Sequence, residues 1–221
     1  MNAPIAETAV RVDAGAALAY IGRCAEIVRR HAGLLTRLDA ALGDGDHGDN
    51  LLIGFAAVEE ALAADPPAEV GDVLSSVGSA LVSSVGGASG PLYGAAFLEA
   101  GFAARGRAEL DVRDLATLLR AAADGLARRG RCNVGDKTIL DALVPAASAV
   151  EAAAAGGATM GQAVRAAAVA AAKGMRSTRP LTARRGLAMR LGERSRGHLD
   201  PGAASCFLLL RALAGPPGQA D

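Results

Sequence analysis

The chain has 221 residues, with 23 Lys and Arg against 23 Asp and Glu, and with 51% hydrophobic against 21% charged residues. Its length fits one domain, its zero formal net charge argues against a general nucleic-acid binder, and its hydrophobic content argues against intrinsic disorder. Aromatic residues make up only 3% and Trp is absent, so small helix-forming side chains, Ala above all, favour closely packed helices over a β-sandwich.

Apolar residues recur at helical spacing along almost the whole chain. The pattern predicts helices over residues 8–31, 33–42, 50–64, 70–85, 91–104, 112–129, 138–154, 160–174 and 201–214. No stretch alternates long enough to predict a strand, and the breaks between helices are short, which is typical of antiparallel neighbours. We therefore predict one all-α domain over 1–221, with an ordered core from about residue 7 to 214 and a frayed tail.

The three cysteines and the N-terminal residues indicate the compartment. Cys24, Cys132 and Cys206 are odd in number and widely spaced, so they are predicted to be reduced core thiols rather than a disulfide framework or a zinc site. The first eleven residues lack the pattern of a signal peptide, and the most Ala-rich stretch, 163–172, is too short to span a bilayer. We expect a cytoplasmic protein that binds neither membrane nor nucleic acid.

The segment from Leu38 to Asn50 contains a candidate metal site, because Asp39, Asp44 and Asp46 lie there among glycines. Glycines let a loop turn tightly enough to aim carboxylates inward, and converging carboxylates repel a phosphate unless a cation lies between them. Oxygen ligands favour Mg²⁺, which also binds substrate phosphates. The G-x-G-x-x-G spacing here lacks the preceding strand of a dinucleotide fold, and the EF-hand pattern fails. A solvated Asp-Gly turn is the alternative.

Two further turns are rich in small residues. In the turn from Ser83 to Pro91, bare backbone N–H groups at a helix start can receive a phosphate, with Pro91 at the first helical position; a tight interhelical turn is the alternative. The turn from Gly130 to Thr138 differs from a P-loop because Asp136 is inserted before Lys137, and no strand precedes it. It predicts an ordinary helix start that is capped by Asp136 or a neighbour.

The segment 175–200 has little helical periodicity and holds seven arginines. Because guanidinium groups bind phosphate in a bidentate manner, its residues 175–197 are a candidate mobile cover that becomes ordered on a bound nucleotide. A solvated basic loop and a nucleic-acid patch are the alternatives, although aromatic stacking partners are lacking. Asp200 before Pro201 predicts the N-cap and first turn of the last helix.

Charge is unevenly distributed between the two halves of the chain. Residues 1–110 hold 7 basic and 14 acidic residues, whereas residues 111–221 hold 16 and 9. An acidic half that faces a basic half can hold a metal ion and an anion between them. Neutralisation of the two halves by simple packing is the alternative.

Four strings, in this order, resemble the nucleotide-binding L subunit of dihydroxyacetone kinases. They are LDxxLGDGDHG at 38–48, SSVGGASGPLYG at 83–94, GDKT at 135–138 and LGERSxGHxDPGA at 191–203. The family's length fits the entire chain. The resemblance implies a closed barrel of about eight antiparallel helices, which binds ADP or ATP at one rim through two Mg²⁺ ions.

The resemblance also implies the site residues. Asp39, Asp44 and Asp46 match the metal ligands. The residues that match nucleotide contacts are His47, Gly48, Asp49, Asn50, Ala88, Ser89, Gly130, Ile139, Asp200, Pro201 and Gly202. Leu187 stands where the family usually has an Arg that touches the nucleotide, so Arg190 or Arg185 is the candidate replacement, and Arg190 is the candidate catalytic residue beyond the metal ligands.

The implied function is that of a phosphotransferase subunit in glycerol metabolism. It transfers a phosphoryl group to an alcohol group of dihydroxyacetone, or of another small ketose such as erythrulose, which a separate K-type subunit holds covalently. Two phosphoryl donors stay open, namely ATP itself and bound ADP that is recharged by a phosphotransferase-system protein. A homodimer is also left open. An ADP–Mg-binding regulatory subunit is the rival function, and the related fatty-acid kinase, which carries a long C-terminal extension, is the rival family.

Overall fold

The structure, a computed structural model, describes residues 11–215. These residues form eight α-helices, a 3₁₀ segment that is kinked at Gly192, and an isolated backbone bridge between Val12 and Leu110, without a sheet. The helices are α1 (Ala14–Ala40), α2 (His47–Ala64), α3 (Val70–Ser84), α4 (Ser89–Ala103), α5 (Val112–Gly130), α6 (Leu140–Ala155), α7 (Met160–Ser177) and α8 (Pro201–Leu213), with the 3₁₀ helix at Leu187–Ser195. The all-α prediction is confirmed. Residues 7–10 of the predicted ordered core and residues 216–221 of the predicted tail lie outside the described residues.

The eight helices form one closed ring in chain order. Each helix packs against the next one along the chain, and α8 returns to pack against α1. Since short connections join helices that pack side by side, consecutive helices run antiparallel, and the expected closed barrel is confirmed. The connections 41–46, 85–88, 131–139 and 178–200 therefore lie at one end, the upper rim, and the connections 65–69, 104–111 and 156–159 lie at the other, the lower rim.

Several predicted boundaries are wrong, including the start of α2, which lies at His47 and not at residue 50, and three of the differences have a local physical reason. Residues 8–31 and 33–42 belong to one continuous helix, because the exposed Gly33 costs only about 1 kcal/mol inside a helix. Helix α4 begins at Ser89, so Pro91 is its third residue, where a backbone N–H has no helical partner to lose. The segment 175–200 is not irregular throughout, since α7 continues to Ser177 and the 3₁₀ helix follows.

The ring encloses an apolar cavity of about 850 Å³ towards the lower rim. Its walls come from every helix except α2, and include Tyr20, Leu74, Phe97, Leu115 and Leu209. An Ala-rich chain without Trp has few large side chains with which to fill the centre of a ring of eight helices.

No helix within residues 11–215 is long and apolar enough to cross a membrane. The three cysteines are buried and free, as predicted.

Gly48 lies where α2 packs tightly against α1. A Cβ atom on this residue would lie 2.1 Å from the carbonyl oxygen of Ala32 and 2.5 Å from Oγ1 of Thr36. Gly48 is buried. Because glycine has no side chain, any contact that it makes with a nucleotide is through its backbone. Its lack of a side chain therefore serves helix packing and brings the start of α2 against the end of α1.

The variant Gly48→Ala should force α1 and α2 apart and lower the free energy of unfolding by at least about 2 kcal/mol. Its matched control is Gly22→Ala in α1, where the new Cβ atom meets nothing within 4 Å. That change should raise stability by about 0.5–1 kcal/mol, because alanine is the better helix former. Urea unfolding of the ligand-free proteins measures both values, and equal stability of the two variants would contradict this packing role.

Candidate functional site

Three carboxylates converge where α1 ends and α2 begins. Asp39 lies in the last turn of α1, Asp44 lies in the connecting loop, and Asp46 is the residue before α2. One oxygen from each carboxylate lies within 4.8 Å of the other two. Asp44 and Asp46 are exposed and Asp39 is half-buried. The predicted acidic cluster is therefore formed, open to solvent on one side.

Asp39 also organises the loop that carries the other two carboxylates. Its Oδ2 accepts hydrogen bonds from the backbone N–H groups of Gly45, Asp46 and His47 at 3.0, 3.0 and 3.3 Å. Gly45 completes the turn with a φ of 76°, which favours glycine. The sequence pattern predicts three equivalent ligands, whereas in the structure Asp39 also has a structural role.

His47 points into the protein and ties three helices together at the upper rim. Its Nδ1 lies 3.0 Å from Oγ of Ser89 at the start of α4, and its Nε2 lies 2.8 Å from Oγ of Ser205 in α8. Burial lowers the pKa of His47, and the neighbouring Asp39 and Asp46 oppose that shift. Because both ring nitrogens and the backbone N–H have protein partners, His47 positions its neighbours.

Other predicted nucleotide contacts also lie at the upper rim. Asn50 in α2 adjoins the α3–α4 loop, since its Nδ2 lies 3.8 Å from the position of a Cβ atom on Gly87. Ile139 packs against Gly202 at the start of α8, with its backbone nitrogen 3.5 Å from the position of a Cβ atom on Gly202. Gly130 ends α5 beside Leu92 of α4.

Asp200 caps α8, as the sequence predicts, because its Oδ2 accepts the backbone N–H of Ala203 at 2.7 Å. Pro201 is the first residue of that helix. Burial raises the pKa of Asp200 to about 7. The rim therefore contains a carboxyl group whose pKa is higher than that of an exposed aspartate.

The predicted cap of α6 by Asp136 is wrong, whereas a neighbour, Thr138, accepts the first backbone N–H of the helix, that of Leu140, at 3.3 Å. The carboxylate of Asp141 instead stabilises the turn that precedes the helix. It accepts the backbone N–H groups of Gly135 and Thr138 at 2.6 and 2.7 Å. Asp136 stabilises the turn from the other side and accepts the N–H of Asn133.

Lys137 has a structural role that the sequence did not predict. Its side chain is almost completely buried, and its Nζ donates to the carbonyl oxygens of Thr178 and His198 at 2.6 and 2.5 Å. These two residues lie at the start and the end of the Arg-rich segment. The pKa of Lys137 is lowered by burial, which the nearby Asp200 and Asp141 oppose. One ammonium group thus joins both ends of the segment.

The Arg-rich segment is also held by hydrogen bonds within itself and to the turn before α6. The backbone N–H of Ala183 donates to Oγ of Ser195, and Oγ1 of Thr182 donates to Glu193. The N–H of Arg184 donates to the carbonyl of Asp136. These hydrogen bonds favour a preformed wall over the expected mobile cover.

The two candidate arginines differ in their surroundings. Nε of Arg185 lies 3.4 Å from a carboxylate oxygen of Asp136. Arg190 is exposed on the 3₁₀ helix and makes no ion pair within residues 11–215. Leu187, at the position of the expected arginine, is also exposed. Of the two arginines, Arg190 therefore has its guanidinium group available to an anion.

The chain matches a family model and several characterised relatives. The model of the DAK2 domain matches residues 41–215. The chain is 40% identical to the ADP-binding subunit DhaL of a PEP-dependent dihydroxyacetone kinase from Escherichia coli K12, covering 88% of this chain and 93% of the relative. It is 38% identical to a similarly named subunit from Listeria innocua, over 89% of this chain and 93% of that one. A D-erythrulose kinase of Mycolicibacterium smegmatis is 38% identical over 81% of this chain, which spans 31% of that enzyme.

A solved structure shares the fold. The crystal structure of the dihydroxyacetone kinase from C. freundii in complex with AMP-PNP and Mg²⁺ aligns with a TM-score of 0.69 at 24% identity. The alignment covers 96% of this chain and 36% of that one.

Replacing Lys137 by Met should open the Arg-rich segment, because its two charge-assisted hydrogen bonds, each of about 1.5–3 kcal/mol, disappear while side-chain length is kept. Amide hydrogen exchange across residues 179–197, measured without nucleotide, should be slow in the wild type and at least about tenfold faster in the variant. The other lysine of the chain, the exposed Lys173, supplies the control Lys173→Met. Fast exchange in the wild type would favour the mobile-cover hypothesis. Unchanged exchange in Lys137→Met would show that the Lys137 amine does not hold the two ends of the segment together.

Proposed function

The chain belongs to the DAK2 domain family, and on that premise we propose that it is the nucleotide-binding subunit of a dihydroxyacetone-type kinase. It binds ADP or ATP with Mg²⁺ and delivers a phosphoryl group to a ketose on a separate K-type subunit. The observation that carries the proposal is one juxtaposition at the upper rim. There the cluster of Asp39, Asp44 and Asp46 adjoins the N-termini of α2 and α4.

The donor set at the cluster fits Mg²⁺. Three carboxylates within reach of one another, two of them exposed, offer hard oxygen ligands and leave room for water and phosphate oxygens. Asp39, Asp44 and Asp46 would hold the two Mg²⁺ ions that the family resemblance implies. Bound there, Mg²⁺ neutralises phosphate charge and orients the phosphates for transfer.

The two helix starts offer the phosphates a second set of partners. Backbone N–H groups in the first turn of a helix have no helical acceptor, and the helix dipole favours an anion there. We assign the phosphates to residues 47–50 at the start of α2 and to Ala88 and Ser89 at the start of α4. Within 47–50, the N–H groups of His47 and Asn50 are bonded to Asp39 and Asp46, which leaves those of Gly48 and Asp49 for the phosphates. The remaining candidates, Gly130, Ile139 and residues 200–202, would then contact the nucleoside, supported by the packing of Ile139 on Gly202.

The ketose belongs to the partner subunit in this proposal. Phosphoryl transfer requires positioning and charge neutralisation rather than covalent chemistry by the protein. The described residues meet that requirement with the acidic cluster, the helix starts and the exposed Arg190. Dihydroxyacetone is the favoured ketose, since the relatives matched over nearly their whole length are named as subunits of dihydroxyacetone kinases. The similarity to a D-erythrulose kinase supports erythrulose as the second candidate.

The names of the relatives also bear on the phosphoryl donor. Two of them are subunits of PEP-dependent kinases, and a third, from Lactococcus lactis, belongs to a PTS-dependent kinase. They support bound ADP that is recharged by a phosphotransferase-system protein over direct use of ATP. A regulatory subunit that binds ADP–Mg²⁺ without transfer is the rival function.

A reconstitution assay tests the proposed function. The purified chain with ADP–Mg²⁺, a K-type subunit, the phosphotransferase proteins and dihydroxyacetone should form dihydroxyacetone phosphate. A parallel reaction with ATP in place of the phosphotransferase proteins identifies the donor. Omission of the K-type subunit should abolish turnover. Turnover by this chain alone would contradict the division of labour, and tight ADP binding without transfer under any of these conditions would favour the regulatory subunit.

Asp44→Ala or Asp46→Ala should abolish the part of the ADP affinity that depends on Mg²⁺, because each change removes a charged ligand and leaves the loop anchored by Asp39. Calorimetric titration with ADP, with and without Mg²⁺, measures this part. Asp72→Ala is the control, since Asp72 is exposed in the first turn of α3 at the lower rim. Wild-type ADP affinity in either cluster variant would contradict the metal assignment.

Arg190→Ala should weaken nucleotide binding or transfer by about 1.5–3 kcal/mol, the scale of a hydrogen bond to a charged group. Arg165→Ala, an exposed arginine in α7 near the lower rim, should leave both quantities unchanged. Titration with ADP–Mg²⁺ and single-turnover rates separate binding from transfer. A loss in Arg185→Ala but not in Arg190→Ala would give the role to Arg185, and no loss in either variant would mean that the contact is absent from this chain.

A further inference from the structure

A chain of four polar side chains runs from the inside of the barrel to the upper rim. The hydroxyl of Tyr93 lies 2.6 Å from Oγ of Ser205, which lies 2.8 Å from Nε2 of His47, whose Nδ1 lies 3.0 Å from Oγ of Ser89. Tyr93, Ser205 and His47 are buried, with exposed fractions of 5%, 1% and 7%, whereas Ser89 reaches the surface. This chain of hydrogen-bonded side chains therefore has one buried end and one end at the candidate phosphate site.

The two neutral tautomers of His47 define two arrangements of the hydrogens around its ring. A neutral imidazole has one N–H and one acceptor nitrogen, and the hydroxyls of Ser89 and Ser205 that face the two ring nitrogens of His47 can each donate or accept a hydrogen bond. In the first arrangement Nε2–H donates to Ser205, and Nδ1 accepts the hydrogen of Ser89. The hydroxyl of Ser205 then donates to a carbonyl of its own helix, at Pro201 or Gly202, 3.1 or 3.0 Å away. Ser89 has only lone pairs left to offer a ligand.

In the second arrangement every hydrogen points towards the rim. Tyr93 donates to Ser205, Ser205 donates to Nε2 of His47, and Nδ1–H of His47 donates to Oγ of Ser89. The hydrogen of Ser89 is then available outside the protein. Each donor in such a chain polarises the next one, and the low dielectric of the interior strengthens the effect.

A phosphate distinguishes between the two arrangements, because its ionised oxygens only accept hydrogen bonds. Facing Ser89 in the first arrangement, phosphate oxygens would meet lone pairs. We propose that a bound nucleotide phosphate selects the second arrangement, so that Tyr93, Ser205 and His47 are positioning residues that hold the Ser89 hydroxyl as a donor to the phosphate. This inference rests on the proposed function, which assigns the nucleotide to this rim.

The protonated nitrogen of His47 tests the inference directly. The chain has only three histidines, so ¹⁵N-labelled imidazole resonances can be assigned with His31→Gln and His198→Gln variants. In multiple-bond ¹H–¹⁵N spectra of the wild type with saturating ADP–Mg²⁺, Nδ1 of His47 should be protonated and Nε2 should not. Protonation of Nε2 in that complex would overturn the inference.

A double-mutant cycle supplies the functional test. Ser205→Ala should weaken ADP–Mg²⁺ binding about three- to tenfold in the wild-type background, and it should have little effect in a Ser89→Ala background. Tyr93→Phe keeps the ring and should show the same pattern with a smaller loss. Binding of adenosine, measured by competition with ADP, should be unchanged, because adenosine has no phosphate for Ser89 to contact.

The outcomes separate this inference from the proposed function. Absence of ADP–Mg²⁺ binding by the wild type would contradict the proposed function itself. Wild-type binding combined with equal losses in both backgrounds, or with equal losses for ADP and adenosine, would mean that Ser205 and Tyr93 only support the fold. Wild-type affinity in both Ser205→Ala and Tyr93→Phe would also overturn the directed chain.

Discussion

The packing of α8 against α1 closes the ring, and the candidate site depends on that closure. In a closed antiparallel ring, alternate connections must emerge at the same end. The acidic loop after α1, the small-residue turn before α4, the turn before α6 and the Arg-rich segment before α8 therefore share one rim. This rim therefore brings the acidic loop from the first half of the chain together with the Arg-rich segment from the second half.

Buried polar groups hold this rim together. An ammonium or imidazole group is costly to bury unless it is hydrogen-bonded, and each such group here has its partners. Lys137 joins the two ends of the Arg-rich segment, His47 joins α2 to α4 and α8, and Asp39 gathers the N–H groups of the acidic loop. The exposed groups that would meet the nucleotide, such as Asp44 and Arg190, project from a base that is formed in advance. Such preorganisation suits a reaction that depends on positioning.

Much of the fold and the acidic cluster could be predicted from the sequence, because both depend on short-range patterns. Helical periodicity reports the buried face of each helix, and three aspartates within eight residues converge once glycines allow the turn. The role of Lys137 depends instead on carbonyl groups 41 and 61 residues away, which no local pattern contains. One signal was present: the chain has two lysines against 21 arginines, and a compact ammonium group fits between carbonyls where a planar guanidinium group does not. The inward direction of His47 likewise depends on Ser205, 158 residues away.

The most direct test of the account is a crystal structure of this chain with ADP and Mn²⁺, the latter located by its anomalous scattering. The account predicts anomalous peaks bonded to carboxylate oxygens of Asp39, Asp44 and Asp46, with the diphosphate against the starts of α2 and α4. Manganese bound elsewhere, or ADP bound in the cavity at the lower rim with the acidic cluster unliganded, would contradict the assignment of the upper rim as the nucleotide site.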